Sequence, residues 1–413
     1  MSSFIGWLDY SETEQRQVRD LLRMFTDKGT VDDLGIGTVR DAISDQLFPG
    51  TSVIQTRARY FLFVPWMYQE AERRSPTNLV AKAEDMDRKL IEALRRSDDL
   101  EGLIGRQAGA SVSLLPSTIY WNGLATFGIF TMPGMSRSQY GRLAGHRSGP
   151  VVTDGELTER ARSFWHAEMP PPPEGFFRFE YAEFALTFDE ADWLCERMLS
   201  TERIEPNLLG RYVSALREGW PAPTGEFWDG PLPDTTPLRL RRLVHHAHRF
   251  SLAVRGAALL YNLMLAQLRG RDGDDERVDS LLAALADWAL DADAAQLQRW
   301  AAEPDDLWRA VIGPGVRIPR ATQAFVEEWM EVLATTPLTT LPSDTRARGV
   351  VRARELSHKK ALARFGNAKR LEDWAGESGT APLSYRWPLV RRYLADLHAG
   401  LTRTRVELPH AVH

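Results

Sequence analysis

The stretch that decides the fold is LRLRRLVHHAHRFSLAVRGAALLYNLMLAQL, residues 238–268. Its pattern is helical, and from Ser251 to Leu268 it is the most apolar stretch of the chain. That part is about long enough to cross a bilayer, but it carries Arg255, Asn262 and Gln267, which are costly in lipid. We therefore predict a helix buried in a protein core.

Helical patterns continue on both sides of this stretch. The clearest is Leu389–Leu401, where Pro388 suits the first helical position and Gly400 offers a stop. Toward the N-terminus, Ser11 and Glu14 form a capping box that predicts another helix. The other predicted helices are Thr38–Leu47, one from near Thr56 past Pro65 to Tyr68, Asn78–Arg96, Val278–Leu290, Ala292–Trp300, Pro304–Ile312, Pro319–Ala334 and Arg346–Phe365.

Two proline-rich stretches, Pro170–Pro173 and Trp220–Pro237, indicate boundaries. Between them, Phe176–Leu186 alternates aromatic and polar residues as a strand does, and Asp189 is expected to cap the following helix. Val112–Leu115 and Phe4–Leu8 are further strand candidates. The predicted fold is mainly α, with multi-helix bundle domains at 1–169 and 238–413 and a small α+β middle unit at 174–219.

The composition bounds the possible chemistry. A single cysteine, Cys195, excludes an internal disulfide and any multi-thiolate metal site, which suits a reducing compartment. The opening MSSFIGWLDYSETEQ has no basic region followed by an apolar run, so we expect no targeting signal. We predict a cytoplasmic protein without a membrane partner, a cofactor or a metal.

Basic charge is concentrated near the C-terminus. Residues 346–370 contain nine Arg or Lys residues and one acid, Glu355, whereas the whole chain has a formal charge of −5. If this segment were one helix, its cations would cluster opposite an apolar side formed by Val350, Val351 and Leu362, with Arg354 intruding on that side.

Such a helix can bury one face and present cations to phosphate groups. The residues that we assign to this role are Arg346, Arg348, Arg352, Lys359, Arg364, Lys369 and Arg370. Two alternatives stay open: an acidic protein partner, or a solvated face that pairs with the protein's own acidic run Asp272–Asp279.

Two motifs at histidines resemble catalytic or metal sites. His245 and His248 share a helix face beside His246, but no H-E-x-x-H and no matching acid is in register, so we predict no metal there. His358-x-Lys360 matches the first half of a phospholipase D signature, which needs an Asp five positions after the Lys. A phenylalanine stands at that position, so a phosphodiesterase is not predicted.

Two other motifs lack their structural setting. Asp87-x-Lys89 has the spacing of a restriction-type nuclease core, which needs adjacent strand positions, but it lies inside a helical pattern. Gly35-x-Gly37 lacks the third glycine and the preceding strand of a dinucleotide loop, and no phosphate-binding P-loop motif occurs. ATP-driven work is therefore not expected. Cys195 fits a core position better than a nucleophile.

Five short motifs spread along the chain carry a resemblance to a known family. They are Gly6–Tyr10, Thr56–Tyr60, Pro116–Trp121, Leu383–Trp387 and Asp396–Leu401. With them the chain resembles, from Gly6 to Leu401, a bacterial family of about this length classed as a domain of unknown function. The resemblance carries over no catalytic residues. It implies a genomic setting beside helicases and phospholipase D-like nucleases in antiviral or mobile-element loci.

We therefore expect a non-catalytic subunit or adaptor of a DNA-directed defence assembly, bound to a nucleic-acid backbone or to another subunit. A competing hypothesis is a metal-dependent nuclease whose acids come from distant positions, with Glu180 and Glu183 as the first candidates. A third is a purely structural adaptor between proteins.

Overall fold

The structure is a computed structural model, and it describes residues 32–147, 163–230, 232, 236–271, 273–313 and 315–403. In this part of the chain the regular structure is helical, and extended backbone pairs only in one antiparallel bridge, Phe130 with Trp165. The prediction of a mainly α protein is confirmed. The predicted helix after Ser11 and the strand Phe4–Leu8 lie outside the described residues.

The described α-helices are, in chain order, α1 (Gly37–Leu47), α2 (Tyr60–Arg74), α3 (Leu79–Leu94), α4 (Pro116–Thr126), α5 (Arg137–Arg147), α6 (Phe188–Ile204), α7 (Leu208–Arg217), α8 (Leu238–Arg269), α9 (Asp274–Ala294), α10 (Leu297–Ala301), α11 (Pro304–Val311), α12 (Arg320–Thr335), α13 (Thr345–Lys359), α14 (Ala368–Glu372) and α15 (Trp387–Leu401). Short 3₁₀ turns join several of them, at Pro76–Asn78, Gly109–Ser111, Phe176–Arg178, Leu338–Ser343, Lys360–Leu362 and Arg364–Gly366.

The chain divides into two units. Of the described residues, those within 48–226 and 386–403 form unit 1, and those within 32–47 and 227–385 form unit 2. The domain boundaries predicted from the sequence stay predictions.

The core of unit 1 forms around α2. Its residues from Tyr60 to Tyr68 are all buried, with Pro65 inside the helix, because α2 is apolar around most of its circumference and packs against α3 and α4. The ring of Phe61 lies edge-on to that of Tyr120 on α4, with centroids 4.9 Å apart. The C-terminal helix α15 packs on α6 and α7 through an apolar side that includes Leu394, as its periodicity predicts.

The core of unit 2 forms around α8, which packs along α9. A Cβ added at Gly256 would lie 2.3 Å from Cζ2 of Trp288, so glycine lets the indole ring contact the α8 backbone. By length and composition α8 passes the test for a membrane span, but 72% of its most apolar window is buried inside the protein. The prediction that this stretch is a core helix is confirmed.

The predicted strand Phe176–Leu186 is wrong. The segment is a 3₁₀ turn at Phe176–Arg178 followed by irregular chain, so the middle segment is not an α+β unit. Its alternation arises because Phe176 and Phe184 are buried while Tyr181 is 53% exposed. The cap of the following helix is Thr187, whose side chain accepts from the Glu190 N–H at 3.2 Å.

Two other predicted elements also differ. The candidate strand at Val112–Leu115 is irregular chain. The predicted helix Arg346–Phe365 ends at Lys359, because Lys360 has a φ of 51° and a ψ of −121°, a left-handed conformation that a helix cannot include. The remainder forms two 3₁₀ turns that pack back on α13.

Candidate functional site

The basic segment is built on α13. The carboxylate of Asp344 caps this helix by accepting from the Ala347 N–H at 2.7 Å. Ala347 and Val351 on the next turns are fully buried, and α13 packs against α8 and α12. This packing fixes which side chains of the segment can reach solvent.

Arg354 lies on the buried face of α13, as its predicted intrusion implied, and is 6% exposed. Its guanidinium donates to the carbonyls of Leu34 at 2.7 Å, Gly35 at 2.9 Å and Ala321 at 2.9 Å. Burial lowers the pKa of this guanidinium. Arg354 therefore anchors α13 and is not available to a partner.

Four charged side chains form a buried ionic cluster: Asp33, Glu355, Lys359 and Arg364. Lys359 and Arg364 both donate to the carboxylate of Asp33. The fully buried Glu355 accepts from the Tyr261 hydroxyl at 3.0 Å and from the Arg364 main-chain N–H at 2.6 Å. Two acids and two cations make the cluster neutral.

The charged groups of this cluster stabilise one another and are largely shielded from solvent. Burial raises the pKa of Asp33, but the hydrogen bond from Lys359 and the charges of Lys359 and Arg364 outweigh burial and hold that pKa below its ordinary value. The side chains of Lys359 and Arg364 are only 16% and 18% exposed. The structure thus places two of the seven predicted site residues in internal ion pairs.

Arg346 and Arg348 are also engaged. Arg346 forms an ion pair with Glu331 at 2.7 Å on the surface of the unit. Arg348 donates to the Pro342 carbonyl at 2.9 Å and to Oε1 of Gln267 at 2.8 Å. Both partners of Arg348 are neutral, so its charge is not compensated by them.

Besides the paired Arg346, four cations of the segment are exposed: Arg352, Lys360, Lys369 and Arg370. We call them the cationic surface. Within the described part of the chain none of their side chains takes part in an ion pair. The Arg352 guanidinium lies 5.7 Å from the centroid of the Phe365 ring. Three of these residues belong to the predicted site, whereas Lys360 contributes to the basic charge of the segment but is not one of the residues predicted to bind.

The backbone holds these four cations in one region of unit 2. The turn Arg364–Gly366 packs on α13 and on α14, and the Asn367 side chain caps α14 by accepting from the Arg370 N–H at 3.2 Å. Two apolar side chains of the same region, Leu356 and Leu362, are 37% and 58% exposed. The region therefore combines uncompensated positive charge with some apolar surface.

Within the acidic run that could neutralise the segment, Asp274 has other partners. Asp274 pairs with Arg269 and lies 3.7 Å from Arg277. These two arginines and the hydrogen bonds that Asp274 accepts lower its pKa to about 2, the hydrogen bond from Arg269 contributing most. Within the described range no acid of residues 273–279 forms an ion pair with residues 346–370. The described structure gives no support to neutralisation by this run.

A separate cleft of about 240 Å³ lies in unit 1, and Arg57, Asp99, Glu183 and Asp396 are among its lining residues. Arg57 pairs with Asp99 at 2.6 Å and with Asp396 at 2.9 Å. Burial raises the pKa of Asp396, while Arg57 opposes this. Of the two acids proposed for a nuclease, Glu183 lines this cleft and Glu180 does not. The described residues hold no group of three metal-ligating side chains.

The histidines form no metal site within the described residues. His246 accepts from Nε1 of Trp300 at 3.0 Å, and the ring of His248 stacks on Trp228 with centroids 5.2 Å apart. Burial, with the charge of Arg249 next, lowers the pKa of His245 to about 4. These rings are packing and hydrogen-bonding groups of unit 2.

The other motifs likewise lack a reactive arrangement. Asp87 is fully buried on α3, whereas Lys89 pairs with Asp85 at 2.8 Å on the exposed side of that helix. Cys195 is buried, and burial raises the pKa of its thiol to about 12. An aspartate and a lysine on different faces cannot share a metal site, and a protonated buried thiol is a poor nucleophile.

The comparison with known families agrees with the resemblance read from the five motifs. A family model described as a family of unknown function, DUF6361, matches residues 1–400. The chain belongs to DUF6361. No curated protein and no solved structure matches it. Membership of DUF6361 assigns no site residue, so the geometry of the cationic surface carries the functional argument.

Proposed function

We propose that this member of DUF6361 is a non-catalytic binding protein whose cationic surface contacts the sugar-phosphate backbone of nucleic acid. The supporting observation is that Arg352, Lys360, Lys369 and Arg370 are exposed in unit 2 and form no ion pair with the described residues. The chain as a whole has a formal charge of −5, so this positive region is a local property.

Charge of this kind binds phosphate without reading sequence. Each phosphate that a Lys or Arg neutralises releases a counterion. The logarithm of the affinity therefore falls linearly with the logarithm of the salt concentration, and the slope is proportional to the number of phosphate contacts. Backbone contacts position a protein on a duplex but do not select bases. The protein is therefore expected to bind many nucleotide sequences without a preferred one. In this proposal the protein works in the cytoplasm, as a subunit of a DNA-directed defence assembly.

The test is a titration of duplex and single-stranded DNA at several salt concentrations. The test variant carries Arg352→Ala, Lys369→Ala and Arg370→Ala together. Lys359 is left intact because its loss would break the buried ionic cluster. If all three side chains contact phosphates, the log–log salt slope becomes shallower by about 2.7 on duplex DNA and by about 2.1 on single-stranded DNA.

A matched control removes the same charge elsewhere in unit 2. Arg242, Arg299 and Arg320 are exposed and form no ion pair within the described chain, so their combined change to Ala alters the net charge by the same amount. This control should keep the original salt slope. Equal losses in both triple variants would mean that net charge, and not this surface, governs binding.

The alternative function is an adaptor that binds an acidic protein partner. The exposure of Leu356 and Leu362 beside the cations favours it, because apolar side chains contribute little to a phosphate contact. Under this alternative, Leu362→Ser weakens co-purification of the partner and leaves DNA binding unchanged. A protein that captures a partner subunit and shifts no DNA at low salt would establish the adaptor and remove the nucleic-acid role.

A further inference from the structure

Unit 2 also contains a small cavity, separate from the cationic surface, with a volume of about 80 Å³. It lies between the start of α1, the middle of α8 and the loop of residues 378–384. Leu34, Ile36 and Val254 form its apolar wall. At roughly 10–15 Å³ for each water position, it has room for about six heavy atoms.

The carboxylates that line the cavity, those of Asp32 and Asp33, already accept hydrogen bonds from groups of the protein. Asp32 accepts from the Ile36 N–H at 2.7 Å and from the Gly37 N–H at 2.8 Å, at the start of α1. Asp33 receives both cations of the buried ionic cluster. The carboxylates at this cavity are thus satisfied by the protein itself.

The donors that line the cavity are not satisfied. Nε of Arg255 is buried without an acceptor, and the nearest carboxylate oxygen, on the 63% exposed Asp291, lies 3.7 Å from its Nη1. Along the loop, the main-chain N–H groups of the buried Ser378 and the half-buried Gly379 donate no hydrogen bond to any described residue, whereas Ala381 and Ser384 are exposed to solvent. Arg40 also lines the cavity, and one nitrogen of its guanidinium pairs with Asp41 at 2.9 Å.

A cavity with satisfied acceptors and free donors is complementary to an anion that is rich in oxygen. Guanidinium groups and clustered main-chain N–H groups are the donors that bind phosphate in proteins. Gly379 has a φ of 67°, a left-handed conformation that glycine adopts without a steric penalty. The size of the cavity fits a phosphate group with little attached to it.

We propose that this cavity binds a phosphate group, supplied either by a small phosphate monoester or by the 5′ end of a nucleic acid. Arg255 is the principal ligand, and the loop N–H groups complete the site. The inference does not rest on the cationic surface, since none of its four residues lines the cavity.

The test measures inorganic phosphate binding by calorimetry and by broadening of the ³¹P resonance, in a buffer without other oxyanions. Wild type should bind, and Arg255→Gln should weaken binding by at least about tenfold, the loss of a charge-assisted hydrogen bond. Arg40→Gln removes the other guanidinium that lines the cavity and should also weaken phosphate binding. The matched control Arg242→Gln should not change it. Circular dichroism confirms that each variant is folded.

Two oligonucleotides of one sequence, with and without a 5′-phosphate, identify the source. Preference for the phosphorylated end that disappears in Arg255→Gln assigns the site to a nucleic-acid end. Binding of phosphate and of a nucleoside 5′-monophosphate without that preference assigns it to a small ester. The proposal is overturned if wild type shows neither heat nor line broadening at about 10 mM phosphate, or if all four proteins bind equally.

Discussion

Replacing Asp33 by Asn should destabilise unit 2 strongly, because Asp33 is the shared acceptor of two cations. The side chain of Asp33 is 4% exposed, and those of Lys359 and Arg364 are 16% and 18% exposed. Removing one partner of a buried ion pair costs about 3–5 kcal/mol, since the remaining charge stays desolvated. The partial exposure of both cations places the expected loss near the lower end, about 3 kcal/mol.

The assay is urea unfolding followed by tryptophan fluorescence at pH 7, with Asp41→Asn as the control. Asp41 pairs with Arg40 at the surface and is 49% exposed, so its loss should cost about 0.5 kcal/mol or less. A loss below about 1 kcal/mol for Asp33→Asn would refute the buried ionic cluster as a structural feature. Lys359 and Arg364 would then be available to contact phosphate, like the four residues of the cationic surface.

The pH dependence gives an independent check of the same cluster. The pKa of Asp33 is lower in the folded protein than in the unfolded chain, so the folded state binds this proton more weakly. The stabilisation is therefore complete above about pH 4, the ordinary range for Asp, and is lost as pH falls through the folded-state pKa. The difference between wild type and Asp33→Asn should shrink in that acidic range.

Two further predictions concern buried groups of unit 1. Burial raises the pKa of Asp87 to about 7, against the smaller opposing effects of Ser117 and Arg137. The folded state holds this proton more tightly than the unfolded chain does. Between pH 5 and pH 8 the free energy of unfolding, measured in urea, should therefore fall by about 2 kcal/mol more in wild type than in Asp87→Asn. An equal fall in the two proteins would contradict this prediction. Cys195 should not react with a thiol reagent at pH 8 until the chain is unfolded, when one thiol per chain should react; rapid labelling of the folded protein would show that the site is open.

Helices were predictable wherever local pattern and packing agree. In α15, the apolar side that includes Val390, Leu394 and Leu397 is buried in the structure as its spacing requires. Pro388 lies in the first turn, where its missing N–H costs nothing. The helix α8 was predictable for the same reason, because it has enough apolar residues to be buried on most of its sides.

The errors arose where a local pattern had a non-local cause. Phe176–Leu186 alternates because the rings of Phe176 and Phe184 pack against Phe63 on α2, and irregular chain can satisfy that contact as well as a strand can. The end of α13 depends on Lys360, whose positive φ no helix-forming propensity predicts. Tertiary contacts thus override local preferences in both places.

The candidate site could be predicted only as a charge imbalance. The sequence locates the cations but cannot show which of them are neutralised, because Asp33 pairs with residues more than 300 positions away along the chain. The exposed cations that form no ion pair with the described residues, Arg352, Lys360, Lys369 and Arg370, emerge only from the fold. The cavity at Arg255 gave no sequence signal, since its donors come from three separate segments.

The salt dependence of duplex-DNA binding is the sharpest test of phosphate contact by the cationic surface. In the titration of wild type against the triple variant at Arg352, Lys369 and Arg370, we predict a log–log slope shallower by about 2.7 in the variant. The control at Arg242, Arg299 and Arg320 should match wild type. An unchanged slope in the variant at Arg352, Lys369 and Arg370, or no DNA binding by wild type at low salt, would show that the cationic surface does not contact nucleic acid.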